Sequence, residues 1–167
     1  MKISKFFQAT AMCAGLLMLM GCPYSSTVPL SQADTKAPDY LIGTWELSGS
    51  EEGGDKVEVK RGSGNVLEIT KTSSGEYGTS DNYTGHITTV NNTLFINLAE
   101  VSEYGGDPSY YFYKVEKQGD NKIVLYAVTA NIRETFDNQN SLRDFFSKNM
   151  QNSYFFDAGE ETYYKIK

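Results

Sequence analysis

The side chains most often used for nucleophilic and metal chemistry are scarce in this chain of 167 residues, which has two cysteines and one histidine. A zinc site normally draws on about four ligands of these types, and a serine hydrolase needs a histidine oriented by a carboxylate. His86 stands in a weak β pattern without a Gly-x-Ser-x-Gly sequence, so we interpret it as an ordinary strand residue. A pair of catalytic carboxylates, as in glycosidases, remains an open alternative, because the distance that matters is the one between the two side chains in the folded protein. We predict no enzyme, cofactor or metal.

The chemistry of Cys22 depends on the residues before it. Lys2 and Lys5 give a positive start, Phe6–Met20 is mostly apolar and uncharged, and Gly21 is a small residue directly before the thiol. These are the parts of a secretory signal peptide. The apolar run is about 15 residues long, which is shorter than the roughly 20 residues of a membrane-spanning helix.

Leu19-Met20-Gly21-Cys22 resembles the lipobox of bacterial lipoproteins. The resemblance implies that residues 1–21 are removed and that Cys22 carries fatty acyl chains such as palmitate. Each buried methylene contributes about 0.8 kcal/mol, so two or more chains anchor a protein stably. The resemblance also implies a location in the cell envelope, and Pro23 after the cysteine suits the outer membrane of a Gram-negative bacterium.

Cleavage before Cys22 changes the inventory of the chain. Cys13 leaves with the signal peptide and Cys22 is acylated, so no thiol remains for a disulfide, a metal or a nucleophile. The mature chain has 13 basic and 21 acidic residues, a net charge of −8. This charge disfavours binding to nucleic acid and to anionic lipid surfaces. The acyl chains are therefore the predicted contact with the membrane.

The mature chain divides into two parts. Residues 22–39 contain three prolines and small polar residues with little apolar patterning, which predicts a lipidated flexible tether. Fully extended, it would reach roughly 55 Å and lift the domain away from the bilayer. Residues 40–167 are enough for one domain of common size.

Short alternating apolar runs separated by turn residues predict β-strands from Trp45 onward. The runs are Trp45–Leu47, Val57–Val59, Leu67–Ile69, Tyr83–Val90, Leu94–Leu98, Tyr110–Glu116, Ile123–Val128 and Thr162–Ile166. Asn91-Asn92 predicts a tight turn, since asparagine tolerates positive φ. Local connections of this kind predict an antiparallel meander of about eight strands.

One segment has helical rather than β periodicity. Its apolar residues fall on one face of a helix: Leu142, Phe145, Phe146 and Met150. We predict a helix over Ser141–Asn149 with Ser141 as the N-cap. Ile123–Val128 is apolar on both faces, and such a strand needs a cover on its outer side. We therefore expect the helix outside the sheet, over Phe112, Val124 and Tyr126.

The segment Leu41-Ile42-Gly43-Thr44-Trp45 resembles the Gly-x-Trp opening of lipocalins. The order of strand, outer helix and terminal strand is also similar to that family. The resemblance implies a mainly β protein, an eight-stranded barrel with Trp45 at one end and an arginine partner, for which Arg133 is the nearest candidate. A sandwich or a half-open barrel fits the strand count as well.

Aromatic residues are the most unusual part of the composition, with 12 Tyr and 9 Phe. By parity with Val115, Tyr111 and Tyr113 should point inward, so with Trp45 they are our candidate ligand-lining residues. The rings either fill the core or line a cavity for a small hydrophobic molecule.

Two functions follow from these alternatives. In the first, a non-enzymatic, lipid-anchored envelope protein binds a small hydrophobic ligand or another envelope component. In the second, a barrel with a filled core is a protein-interaction module, an assembly accessory or inhibitor, acting through the loops Thr72–Asn82 and Val101–Ser109.

Overall fold

The computed structural model describes residues 23–49, 54–73, 78–100 and 106–167. These residues form nine strands, a 3₁₀ turn (Asp39–Leu41) and one α-helix, α1 (Gln139–Asn149). The strands are β1 (Ser25–Ser26), β2 (Gly43–Leu47), β3 (Lys56–Arg61), β4 (Leu67–Thr72), β5 (Ser80–Val90), β6 (Thr93–Glu100), β7 (Tyr110–Lys117), β8 (Lys122–Val128) and β9 (Phe156–Lys165). The eight predicted strands are present in order, and the last begins at Phe156 rather than Thr162.

Strands β2 to β9 form a closed antiparallel barrel. Each strand pairs with the next along the chain, and β9 pairs back with β2. Trp45 of β2 is therefore paired with Val57 of β3 and Lys165 of β9. Closure leaves no exposed strand edge in the ring. The predicted lipocalin-like barrel is confirmed, and the sandwich and half-open barrel are wrong.

The tight turn between β5 and β6 follows the prediction. Asn91 and Asn92 have φ values of 47° and 64°, which is the left-handed conformation that a two-residue hairpin turn requires. The Asn91 side chain also donates to the carbonyl oxygen of Ser147 at 3.0 Å. This turn thus ties the barrel wall to α1.

A second apolar layer covers the outside of the barrel. Phe146 of α1 packs edge-to-face on Phe95 of β6 and Phe112 of β7, with ring centroids 5.6 and 5.2 Å apart. The prediction that α1 lies outside the sheet over Phe112 is confirmed. Tyr126 instead packs against Phe156 of β9, at 6.3 Å. The helix is thus centred one strand further from β8 than predicted, because Phe95 offers a second outward ring.

The N-cap of α1 is Asn138 and not Ser141. The Asn138 side chain accepts a hydrogen bond from the Ser141 backbone N–H at 2.9 Å, and the Ser141 hydroxyl donates to the Asn138 carbonyl oxygen at 3.0 Å. Asparagine and serine are equally good N-caps. The sequence therefore placed the helix correctly and its first residue wrongly.

Residues 23–38 form an N-terminal strap on the barrel, which corrects the prediction of a flexible tether over residues 22–39. β1 pairs with β7, Leu30 is 1% exposed, and its N–H donates to the Asn97 side chain at 2.7 Å. Three of the strap's apolar side chains are buried, namely Tyr24, Leu30 and Ala37. Because they are widely spaced and follow no period, they gave no sequence signal.

Candidate functional site

The interior of the barrel contains a cavity of about 370 Å³. Small-molecule sites commonly enclose about 300–1,000 Å³. Inward-facing side chains of all eight barrel strands line the cavity, and the apolar members of this lining include Trp45, Leu67, Ile69, Ile96, Leu98 and Ile123. Because side chains alternate along a strand, β6 sends Ile96 and Leu98 into the cavity and Phe95 into the outer layer.

Trp45 closes one end of the cavity. It is 1% exposed, and its indole N–H donates to the Leu41 carbonyl oxygen at 3.0 Å. The Lys165 ammonium lies 5.4 Å from the indole ring and donates to the Tyr40 carbonyl oxygen at 3.1 Å. A cation so placed is attracted to the face of the ring.

Lys165 occupies the position for which Arg133 was the candidate. Arg133 is exposed, lies in the connection between β8 and α1, and contacts Glu134 through its backbone N–H. The assignment of Arg133 as the tryptophan's partner is wrong. Closure pairs β9 with β2 and brings Lys165 to Trp45, and this pairing could not be read from the chain order.

The backbone conformation two residues before Trp45 requires a glycine, Gly43. Its φ is +134°, and a Cβ there would collide with the carbonyl oxygen of Lys167. That oxygen accepts a hydrogen bond from the Thr44 N–H at 2.8 Å. The Gly-x-Trp spacing thus combines a glycine that leaves room for the backbone at Lys167 with an indole that closes one end of the barrel.

The other end of the cavity is polar and open to solvent. β2, β4 and β6 run in the same direction, because adjacent strands alternate. Lys71 and Glu100 come late in β4 and β6, away from the 3₁₀ turn that precedes β2, and both line the cavity. Glu161 of β9 also lines it and is exposed. We call this end the mouth.

Tyr113, Tyr163 and Glu161 form a tyrosine–carboxylate group in the cavity. The Tyr163 hydroxyl donates to Glu161 Oε2 at 2.7 Å. Burial, and then the charge of Glu161, raises the pKa of Tyr113 to about 12 and also raises the pKa of Tyr163. Both phenols therefore remain protonated donors at neutral pH, beside a carboxylate that accepts hydrogen bonds.

The structure brings the three candidate ligand-lining residues together. Trp45, Tyr111 and Tyr113 all line the same cavity. Cys22 lies outside the described residues. His86 points outward, where its Nε2 donates to the Ser31 carbonyl oxygen of the strap at 2.8 Å. It is thus part of the wall beneath the strap and does not reach the cavity.

Sequence reasoning missed the charged residues of the cavity. Lys71 is in phase with Leu67 and Ile69, and Glu161 is in phase with Tyr163. The available signal was a charged residue at an inward position of an alternating strand.

No family model, curated protein or solved structure matches the chain. In the part of the chain that the structure describes, no helix has the length and apolar character needed to cross a bilayer. Those same residues hold no cluster of His, Cys, Asp or Glu side chains suited to a metal ion.

Proposed function

We propose that this protein is a lipid-anchored, non-enzymatic protein of the cell envelope that binds a small hydrophobic ligand inside its barrel. The observation that carries the proposal is the cavity of about 370 Å³ with an apolar wall and a polar mouth. An apolar molecule of this size gains free energy by leaving water, at about 25 cal/mol per Å² buried. A few polar groups at the mouth would orient it.

The start of the mature chain supports anchoring close to the cavity. Pro23 lines the cavity, and the Tyr24 N–H donates to the Val128 carbonyl oxygen at 2.9 Å. Cys22 is bonded directly to Pro23, and consecutive Cα atoms are about 3.8 Å apart. Acyl chains on Cys22 would therefore hold the cavity beside the bilayer, in our proposal that of a Gram-negative outer membrane.

The alternative, a protein-interaction module, depended on a barrel filled by its own aromatic rings. Tyr111 and Tyr113 are only partly buried and border open volume. The loops proposed for that module include residues 74–77 and 101–105, which lie outside the described residues. The cavity favours a carrier, whose ligand would be a small molecule or the apolar part of another envelope component.

Native mass spectrometry of the mature chain with Cys22→Ser tests the proposal. The chain should begin at residue 22, because the strap is part of the fold. We expect an adduct of lipid size, together with saturable binding of an environment-sensitive apolar dye that the extracted ligand displaces. Absence of both the adduct and dye binding would contradict the proposal.

A pair of variants locates the binding. Leu98→Trp adds an indole inside the cavity and should weaken dye binding by about tenfold or more, a change equivalent to about 1.4 kcal/mol. Tyr164→Trp adds the same ring at an exposed position next to Tyr163 and should leave dye affinity unchanged. Equal effects of the two variants would place the dye outside the barrel.

A further inference from the structure

We propose that the cavity selects amphiphiles with a cationic or hydrogen-bond-donating head group and discriminates against carboxylates such as fatty acids. This inference rests on the proposed function and concerns the same cavity. It follows from the charged and phenolic groups that the strands place among the lining residues.

The ionisable lining has an excess of negative charge. Among the described residues, two carboxylates, Glu100 and Glu161, line the cavity together with one ammonium group, that of Lys71. Asp157 adds to the negative field at Tyr113, and Asp55 does so at Tyr163. The excess is therefore present in the cavity itself, in addition to the net charge of the chain.

The inward-facing cations at the closed end do not offset this charge. Arg61 is paired with Asp39 at 2.5 Å and also donates to the Ala37 carbonyl oxygen. Lys165 is held by Tyr40 and the Trp45 ring. Neither cation lines the cavity, so neither offsets the charges of Glu100 and Glu161.

Glu161 offers a defined contact for a head group. Within the described residues its side chain accepts one hydrogen bond, from Tyr163, whereas a carboxylate can accept about four. The ring of Tyr113 lies close enough for the Glu161 charge to raise its pKa. An ammonium group here would gain a charge-assisted hydrogen bond and an aromatic face.

An anionic head group would be repelled at the same place. Its charge would lie near Glu161 and Glu100, and in the described part of the lining Lys71 alone would oppose them. Like charges repel each other even near a protein surface, where the effective dielectric constant is lower than that of bulk water. Like-charge juxtaposition is a common means of rejecting a wrong partner.

Three probes with one alkyl chain isolate the head group: dodecylamine, dodecanol and dodecanoate, each below its micellar concentration. Calorimetry or displacement of the apolar dye from the mature Cys22→Ser chain gives their affinities. We expect the amine to bind most tightly and dodecanoate at least about tenfold more weakly, with the alcohol between them.

Glu161→Gln removes the charge and keeps an oxygen that accepts from Tyr163, so it should reduce the difference between amine and carboxylate to about threefold or less. Glu160→Gln is the matched control, because Glu160 is exposed and pairs with the outward-facing Tyr126. It removes the same charge one residue away and should preserve the selectivity. Glu100→Gln should shift selectivity in the direction of Glu161→Gln.

The outcomes separate the two proposals. Dodecanoate binding as tightly as dodecylamine to the parent chain would overturn the head-group inference and leave the carrier function intact. If none of the three probes binds, the carrier function itself fails. If Glu160→Gln changes selectivity as much as Glu161→Gln, the preference comes from overall charge and the assignment to the cavity is overturned.

Discussion

His86 is the residue through which pH should act on this fold. Its Nε2 donates to Ser31 of the strap, and its ring lies edge-on to Tyr110. Burial lowers the pKa of His86, and the opposing effects of the Ser31 hydrogen bond and of Asp34 are smaller. The folded protein therefore binds a proton at this site less readily than the unfolded chain does.

The sign of this pKa shift gives a testable pH dependence. Above the unfolded pKa of about 6.5 His86 is neutral in both states, and below it the unfolded state takes up the proton first, so stability falls as pH falls. We expect the melting temperature to drop between about pH 7.5 and 5.5. His86→Gln, which keeps a side-chain donor, should flatten this part of the profile. An identical slope in the variant would contradict the assignment.

Gly43 tests the residue-level reason for the Gly-x-Trp spacing. Gly43→Ala should cost the strain of a positive φ, roughly 1–2 kcal/mol, and in addition a clash with the Lys167 carbonyl oxygen. Gly64→Ala is the control, because Gly64 also has a positive φ but nothing near its missing Cβ. Urea unfolding should find Gly43→Ala the more destabilised. Equal losses would mean that the close approach has no energetic weight.

At the scale of elements, the strap and α1 together bury the outer face of strands β5 to β7. The outward residues of β5 to β7 include the apolar Phe95 and Phe112 and the polar Thr88 and Asn97, all at most 1% exposed. Asn97 donates to Thr88 at 2.8 Å and accepts from the Leu30 N–H. Burial of a polar side chain is tolerated because its hydrogen bonds are satisfied.

A substitution at Leu30 tests how much the docked strap contributes to the stability of the fold. Leu30→Ala should lower the free energy of unfolding by about 2–5 kcal/mol, the usual cost of a buried leucine-to-alanine change. Thr27→Ala, at an exposed strap position, should change it by less than about 0.5 kcal/mol. A flexible tether would give no loss at either position, so a silent Leu30→Ala would contradict the docked strap.

At the scale of the whole molecule, the docked strap would couple the proposed anchor at Cys22 to the cavity. The strap places Pro23 at the cavity, so attachment at Cys22 would fix the distance between the cavity and the membrane. A free tether over residues 23–39 would have allowed the barrel to move roughly 55 Å away. Docking replaces that freedom with a fixed position.

Membrane attachment is tested by replacing one thiol at a time. In a bacterial host, Cys22→Ser should move the protein from the membrane fraction to the soluble fraction, because the acyl chains supply the binding energy. Cys13→Ser, within the predicted signal peptide, should leave membrane partitioning and the mass of the mature acylated protein unchanged. Membrane retention of Cys22→Ser would contradict the proposed anchor.

Local pattern was sufficient for much of this protein. Period-two alternation predicted the order of the eight barrel strands, and Asn91-Asn92 predicted the hairpin turn between β5 and β6. The spacing of Leu142 and Phe146 predicted the helix. These features depend on residues close together in the chain, and parity also placed Tyr111 and Tyr113 inward. The Cys22 signal is equally local, and its acylation stays a prediction.

Tertiary structure decided what depends on residues far apart in the chain. Pairing of β9 with β2 brought Lys165 to Trp45 and placed Glu161 in the cavity, while scattered apolar residues docked the strap on the outer wall. Whether the aromatic rings would fill the barrel or leave a cavity was also undetermined by pattern. Alternation determines which way a side chain points, but the volume of the cavity depends on how all eight strands close into the barrel.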